Sequence, residues 1–281
     1  MWFLLLASLL AYLTICTLLY FYQNRMIYRP VRNFVMTPDQ RGMAYDSVTL
    51  DTSDGEQLAG WFIPAQNQER GVVLFLHGNA GNISTEVDTL EIFFRLGLTA
   101  FAIDYRGYGH SSGLPDEQGT YRDAEAAWDY LVDERGYRPD QIVIYGRSLG
   151  GAVAAWLGAK KHPRALVIEN SFTSLPDAAS VRYPYFPIKW LSRFNYNTLE
   201  IAADFPCPTL IIHSRDDEVI PIEQGRAVFD AISADKDFLE IMGAHGDAYL
   251  HSGETYINGL DSFLSRCLGS GVRNRSTAAL V

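Results

Sequence analysis

Hydrophobic positions change their spacing along the chain in a way that separates an anchor, a body of alternating strands and helices, and a tail. From Met1 to Tyr22, MWFLLLASLLAYLTICTLLYFY, no side chain is charged. A helix of that length, at about 1.5 Å per residue, reaches roughly 33 Å, enough to cross a hydrocarbon core of about 30 Å. The segment reads as a single-pass transmembrane anchor over 1–22, with a juxtamembrane linker over 23–44. A cleavable signal peptide is the competing reading. Against it stand the missing basic n-region, the length of the apolar run and the lack of an A-x-A cleavage site. LTIC, ending at Cys16, has Ile15 where a lipoprotein box needs a small residue, so Cys16 reads as a lipid-facing apolar side chain. Arg25, Arg29 and Arg32 follow the span, a charge bias that leans the body toward the cytoplasmic side of a membrane.

The body, 45–268, opens with DSVTLDTSDGEQLAGWFIPA, two alternating runs joined at Asp54–Gly55. A D-G pair between such runs predicts a β-hairpin. Six short, nearly continuous apolar runs follow, at 71–78, 99–107, 141–146, 165–170, 208–214 and 237–243. Strands apolar on both faces belong in a parallel sheet covered on both sides. Helical patterns near 84–97, 117–135, 148–161, 222–234 and 253–267 lie between and after them. The alternation predicts βαβ crossovers in one α/β, doubly wound sheet. Residues 171–206, with VRYPYFPIKWLSRFNYN at their centre, interrupt the alternation as an insertion rich in aromatics and proline. The end of the chain, 269–281, reads as a flexible tail.

Composition narrows the function classes. Acidic residues outnumber basic ones, 33 to 23, and the arginines are scattered, which argues against a nucleic-acid partner. Cys16, Cys207 and Cys267 form no CxxC pair and no cluster with histidine at metal-ligand spacing, so neither a disulfide framework nor a metal site is indicated.

Chemistry concentrates at VIYGRSLGGAVA, 143–154, where a strand pattern passes without a polar loop into a helix pattern. In that setting G-x-S-x-G is a nucleophile elbow, with Ser148 at the apex. Gly146 and Gly150 sit two residues to either side, where a Cβ would crowd the turn. A serine hydroxyl needs a base, and the base needs a group that fixes its tautomer. His245, in IMGAHGD just past the last predicted strand, is the expected base; His251 is its nearest rival. His77 reads as ordering the HGN turn and His213 as a hydrogen-bonded core residue. HSRDDEVIP offers Asp216 and Asp217 after a strand, and position favours Asp217 as the acid. Oxyanion donors are expected at the backbone N–H of Leu149 and, from the small-residue loop HGNAGN, of Asn79.

Together LFLHGNAGN, DYRGYGHSSG, GRSLGG, HSRDDEVIP and GAHGD, in that order over about residues 45–268, resemble the α/β-hydrolase superfamily. The resemblance is closest to its branch of membrane-anchored α/β-hydrolase-domain serine hydrolases. It implies an eight-stranded, mostly parallel sheet with helices on both faces, a triad at Ser148, Asp217 and His245, and no cofactor. It also implies structural roles for Asp104 and Arg106 in the loop after the fourth strand. Two departures are Arg147, at a position that varies among relatives, and the insertion 171–206, short for a full cap domain. The implied function is a membrane-anchored serine hydrolase that opens a carboxylic ester of a small-molecule acyl substrate, a lipophilic one where the insertion serves as a lid. A thioesterase or peptidase would use the same triad, and a non-catalytic membrane-tethered binding protein is the rival of a different class. The insertion's Tyr183, Tyr185, Phe186, Trp190 and Phe194 suit either a bilayer-facing lid or a packed cap.

Overall fold

A computed structural model describes residues 1–66 and 68–269. Apart from Gly269, the expected tail lies outside the described residues.

The N-terminal apolar run forms helix α1, Trp2–Ile27, long and apolar enough to cross a membrane. It continues past Tyr22 because its first polar residues find partners on the body. Gln23 Nε2 donates to the Leu191 carbonyl at 2.7 Å, Gln23 Oε1 accepts from Arg193 N–H at 2.8 Å, and Asn24 Nδ2 donates to the Pro115 carbonyl at 2.6 Å. The segment read as a linker, 23–44, is laid against the body. Arg29–Pro30 pairs in parallel with Ala80–Gly81, and Asn82 Nδ2 donates to the carbonyls of Val31 and Asn33.

The body begins with strands β1, Asp46–Asp51, and β2, Gln57–Ile63, paired antiparallel across the turn at Asp54–Gly55. Gly55 has φ +89°, a value glycine adopts without steric cost. Then follow β3 (Val72–Leu76), α2 (Val87–Arg95), β4 (Thr99–Ile103), α3 (Glu117–Asp129), β5 (Ile142–Arg147), α4 (Leu149–Lys161) and β6 (Ala165–Glu169). The insertion folds as three short helices, α5 (Leu175–Arg182), α6 (Ile188–Leu191) and α7 (Thr198–Ile201). Strand β7 (Thr209–Ser214), α8 (Ile222–Ala231), β8 (Lys236–Ile241) and α9 (Ala248–Leu268) complete the body. Two predicted helices differ in extent: α2 is preceded by a separate 3-10 turn, Ile83–Thr85, and α3 ends in a π turn, Tyr130–Glu134. Helix α9 starts at Ala248, earlier than expected, and bends at Gly253, φ +43°.

The eight strands form one sheet in the order β1-β2-β4-β3-β5-β6-β7-β8, with β2 alone antiparallel to its neighbours. Alternate residues feed two cores. Val72, Leu74, Ile142, Ile144 and Leu166 pack with Ala124 and Trp128 of α3, Val153 of α4 and Val228 of α8. Val73, Phe75, Val143, Tyr145 and Val167 pack with Leu90 and Phe93 of α2 and Tyr256, Leu260 and Phe263 of α9. Helices therefore cover both faces, as runs apolar on both sides require. The strand order reverses at β3, so the loops after β3 and β5 diverge and leave a crevice at the carboxyl ends of the strands.

One buried ion cluster ties the β1–β2 turn to that edge. Arg106, just past β4, donates through Nε to Asp123 Oδ1 at 2.9 Å and through Nη1 to Asp54 Oδ2 at 2.8 Å. Asp123 is fully buried, and burial pushes its carboxyl up to about 6 even against the pull of Arg106. Arg106→Leu strands that carboxylate without its partner, a change that costs about 3–5 kcal/mol when a buried pair is broken. The expected result is a lower urea midpoint with an unchanged denaturant slope; an unaltered midpoint would contradict the pairing.

Candidate active site

The site is built around a backbone that most residues avoid. Strand β5 ends at Arg147, and Ser148 takes φ +54°, ψ −119° before α4 begins at Leu149. Such a conformation costs on the order of 1–3 kcal/mol. Three hydrogen bonds hold it: Ser148 N–H to the Glu169 carbonyl at 2.8 Å, Gly151 N–H to the Ser148 carbonyl at 3.0 Å, and Ser171 Oγ to the same carbonyl at 2.8 Å. At a net of about 1 kcal/mol each, they are of the size needed to offset the strain. The flanking glycines are obligatory for contact reasons. A Cβ at Gly146 would lie 2.1 Å from the Gly150 carbonyl oxygen, and one at Gly150 would lie 2.0 Å from that of Leu76.

Three side chains from distant loops meet at this turn. His245, in the β8–α9 loop, has Nε2 2.9 Å from Ser148 Oγ, and its Nδ1 lies 2.7 Å from Asp217 Oδ2. An ionised carboxylate only accepts, so Nδ1 carries the ring proton and Nε2 is left to accept from the serine. The side chain of Asp217, in the β7–α8 loop, is buried, and its Oδ1 accepts from the N–H groups of Val219 and Ile220, both at 2.8 Å. Asp216 is half exposed and turned away; its Oδ2 accepts from Gly243 N–H at 3.3 Å. His251 is exposed beside Asp247 rather than at Ser148. Buried His213 donates through Nε2 to the Ile220 carbonyl at 2.9 Å, bracing the turn that carries Asp217.

The loop after β3 closes the other side of the crevice, with the Cβ position of Gly78 only 3.5 Å from Ser148 Cβ. Asn79 is fixed from three directions. Its Nδ2 donates to the Ile27 carbonyl at 2.6 Å, and its own carbonyl accepts from Arg29 N–H and Tyr108 Oη, both at 2.8 Å. Leu149 opens α4, so its N–H is one of those with no acceptor inside the helix.

The residues that hold these loops together carry little local signal in the sequence. Asn170 sits at φ +45°; its Oδ1 accepts from Ser214 N–H at 2.9 Å and its Nδ2 donates to the His245 carbonyl at 3.2 Å. Asn is among the few side chains that tolerate this region, and the ENS triplet closing a strand is the trace it leaves. Glu218 Oε2 accepts from His245 N–H at 3.0 Å. Beneath the turn, buried Arg147 reaches Glu86 at 2.8 Å and Glu169 at 2.9 Å, and its guanidinium stacks 4.4 Å above the Tyr249 ring. That cluster links the end of β5 to α2, β6 and the first turn of α9.

His77 and Asp104 form a second buried pair, behind the β3 loop. His77 Nδ1 donates to the Gly78 carbonyl at 2.7 Å, and Nε2 lies 3.8 Å from Asp104 Oδ1, which accepts from Ile83 N–H at 2.8 Å. Burial pushes the Asp104 carboxyl up to about 7 and the His77 imidazole down to about 4. A raised carboxyl stabilises the fold at low pH and loses that contribution as pH rises through about 7; a lowered imidazole stabilises at high pH and loses it as pH falls through about 4. The two slopes oppose each other. Asp104→Asn keeps an acceptor for Ile83 and removes one slope, so melting temperature should climb more steeply between about pH 4 and 7 than in the unmodified protein. Parallel melting curves would contradict the assignment.

Comparison with known proteins agrees with this architecture. A family profile described as "Serine aminopeptidase, S33" matches residues 67–195, which include Ser148 but stop before Asp217 and His245. The chain is 34% identical to the α/β hydrolase domain-containing protein WAV2 of Arabidopsis thaliana, over 85% of this chain and 86% of that one. It is 33% identical to an uncharacterized membrane protein of Saccharomyces cerevisiae, over 84% and 87% of the two chains. An esterase of Pyrococcus furiosus superposes with a TM-score of 0.74 at 21% identity, over 86% of this chain and 99% of that one, a likeness of fold. Strand order, elbow and relatives define a hydrolase of the serine-hydrolase type. The chain belongs to the α/β-hydrolase superfamily.

Proposed function

We propose that this protein is a membrane-anchored serine hydrolase that opens a carboxylic ester through an acyl-enzyme. The observation that carries the reading is the unbroken line from Ser148 Oγ through the His245 ring to Asp217, 2.9 Å and 2.7 Å in its two steps. Ser148 attacks the carbonyl carbon as His245 Nε2 takes its proton. Asp217 holds the tautomer and stabilises the imidazolium; Val219 and Ile220 fix the carboxylate so that it need not reorganise. The N–H groups of Leu149 and Asn79 bind the oxyanion, with the start of α4 adding its positive end. His245 returns the proton to the leaving alcohol, then activates a water that releases the acid and regenerates Ser148.

Helix α1 supports the membrane part of the proposal, as does the name of the yeast relative. The family description favours one second reading, cleavage of an aminoacyl amide by the same three residues. A panel of p-nitrophenyl esters, acyl thioesters and aminoacyl amides ranks the bonds.

Detergent-solubilised protein should react with a fluorophosphonate probe, and Ser148→Ala should lose all labelling and roughly three orders of magnitude or more of kcat. Equal labelling of both proteins would end the nucleophile assignment. Turnover of amides and none of esters would replace the esterase reading with the peptidase one.

A further inference from the structure

The insertion and the anchor share a surface that soluble packing does not account for. Tyr12 Oη donates to the Tyr185 carbonyl at 3.0 Å, and the Tyr12 and Phe186 rings stack at 5.6 Å. Cys16, a turn further along α1, is buried, Leu19 is half-buried, and Gln23 binds the insertion's backbone at Leu191 and Arg193. Positions 12, 16, 19 and 23 form one stripe of a helix. From Gln23, the first residue past the run 1–22, back to Tyr12 is about 16 Å of helix at 1.5 Å per residue, roughly half the depth of a hydrocarbon core. Any bilayer that α1 crosses must therefore also meet the loop at Tyr185.

That loop is suited to such surroundings. Val181, Tyr185 and Trp190 are exposed on it, Trp190 by 90%. Irregular backbone survives among acyl chains only where its polar groups are satisfied. Pro184 and Pro187 carry no N–H, and the carbonyls of Tyr183, Phe186 and Pro187 accept from N–H groups within the loop. The Tyr185 carbonyl takes its partner from the anchor. Residues 181–194 hold Arg182, Lys189 and Arg193 and no acidic residue, in a chain of net charge −10. Lys189 binds Asp177 at 2.7 Å and the Arg193 guanidinium sits 5.7 Å over Tyr20, positions from which long cationic side chains reach phospholipid headgroups while their stems stay apolar.

We infer that the segment Val181–Leu191 inserts into the bilayer leaflet next to the hydrolase body, as a wedge seated against α1, with Tyr185, Phe186 and Trp190 among the acyl chains and Phe194 held in the core of the body. The anchor is then one half of a two-part membrane attachment, and its geometry fixes how the body meets the lipid. The inference rests on helix α1 spanning the membrane and not on the catalytic reading, so it is tested without activity.

The full chain is reconstituted into vesicles of mixed zwitterionic and anionic phospholipid, carrying Trp2→Phe to silence the tryptophan of the span. Trp61 and Trp128 are buried in the body and Trp156 is stacked on Tyr121, which leaves Trp190 as the reporter of lipid. Phospholipid brominated on its acyl chains should quench tryptophan emission, and adding Trp190→Phe should remove that lipid-dependent quench. Equal quenching in the two variants would overturn the insertion. So would quenching of Trp190 by a headgroup-borne quencher alone, which would place the segment on the membrane rather than in it.

Discussion

A single backbone conformation organises the molecule: Ser148 held at φ +54° between the last residue of β5 and the first of α4. The turn is affordable only because glycine occupies the two positions where a Cβ would press within about 2 Å of a carbonyl oxygen. Those oxygens belong to Leu76, at the end of β3, and to Gly150 itself, so close approach of α4 to the neighbouring strand and the sharpness of the turn are the same constraint. Once β3 and β5 lie side by side at that distance, the loop after β3 has nowhere to go but over the serine. The crevice and its two walls follow from the packing of one helix start on one strand end.

The remaining machinery is held by polar backbone contacts rather than by apolar packing. Asn170 bonds the end of β7 and the His245 carbonyl at once; Glu218 bonds the His245 N–H; Asp217 is gripped by two N–H groups of its own turn. Each loop is thereby fixed to another loop, not only to its own strand. Net hydrogen-bond energies of about 1 kcal/mol are small against the burial of the core. Their value lies in direction, since an imidazole displaced by about 1 Å would lose its bond to Ser148 Oγ.

The fold was legible because its strongest signals are local. Runs such as VVLFL and QIVIY are apolar on both faces and had to be interior strands of a covered sheet, and D-G at 54–55 had to turn a hairpin. The residues that meet at Ser148 were legible through motif position. What escaped was long-range pairing of weakly marked residues. Nothing in the local pattern of 28–36 shows that it would run beside Ala80–Gly81, and Asn82, which binds it there, reads as an ordinary loop residue. Arg147 is one residue from the serine, yet its partners Glu86 and Glu169 come from segments 61 and 22 positions away. The early start of α9 was hidden by Gly253, whose φ of +43° breaks the helical period without ending the helix.

The run of chain after the anchor gives the two ends of the proposed function a mechanical connection. Ile27 closes α1, and its carbonyl accepts from the side chain of Asn79; two residues on, Arg29 N–H donates to the carbonyl of the same asparagine. Tyr28 lies between them, buried, with its hydroxyl 2.7 Å from that of Tyr196 at the base of the insertion. A residue proposed to bind the oxyanion is thus positioned by the segment that follows α1, and the insertion proposed to enter the membrane is bonded to that same segment. An anchor joined through a flexible tether would let the body tumble at the surface and leave the crevice free to face any direction. Here α1 is hydrogen-bonded to the body from Tyr12 through Gln23 and Asn24, so the crevice keeps one orientation relative to the helix, and any bilayer that orients the helix orients the crevice with it.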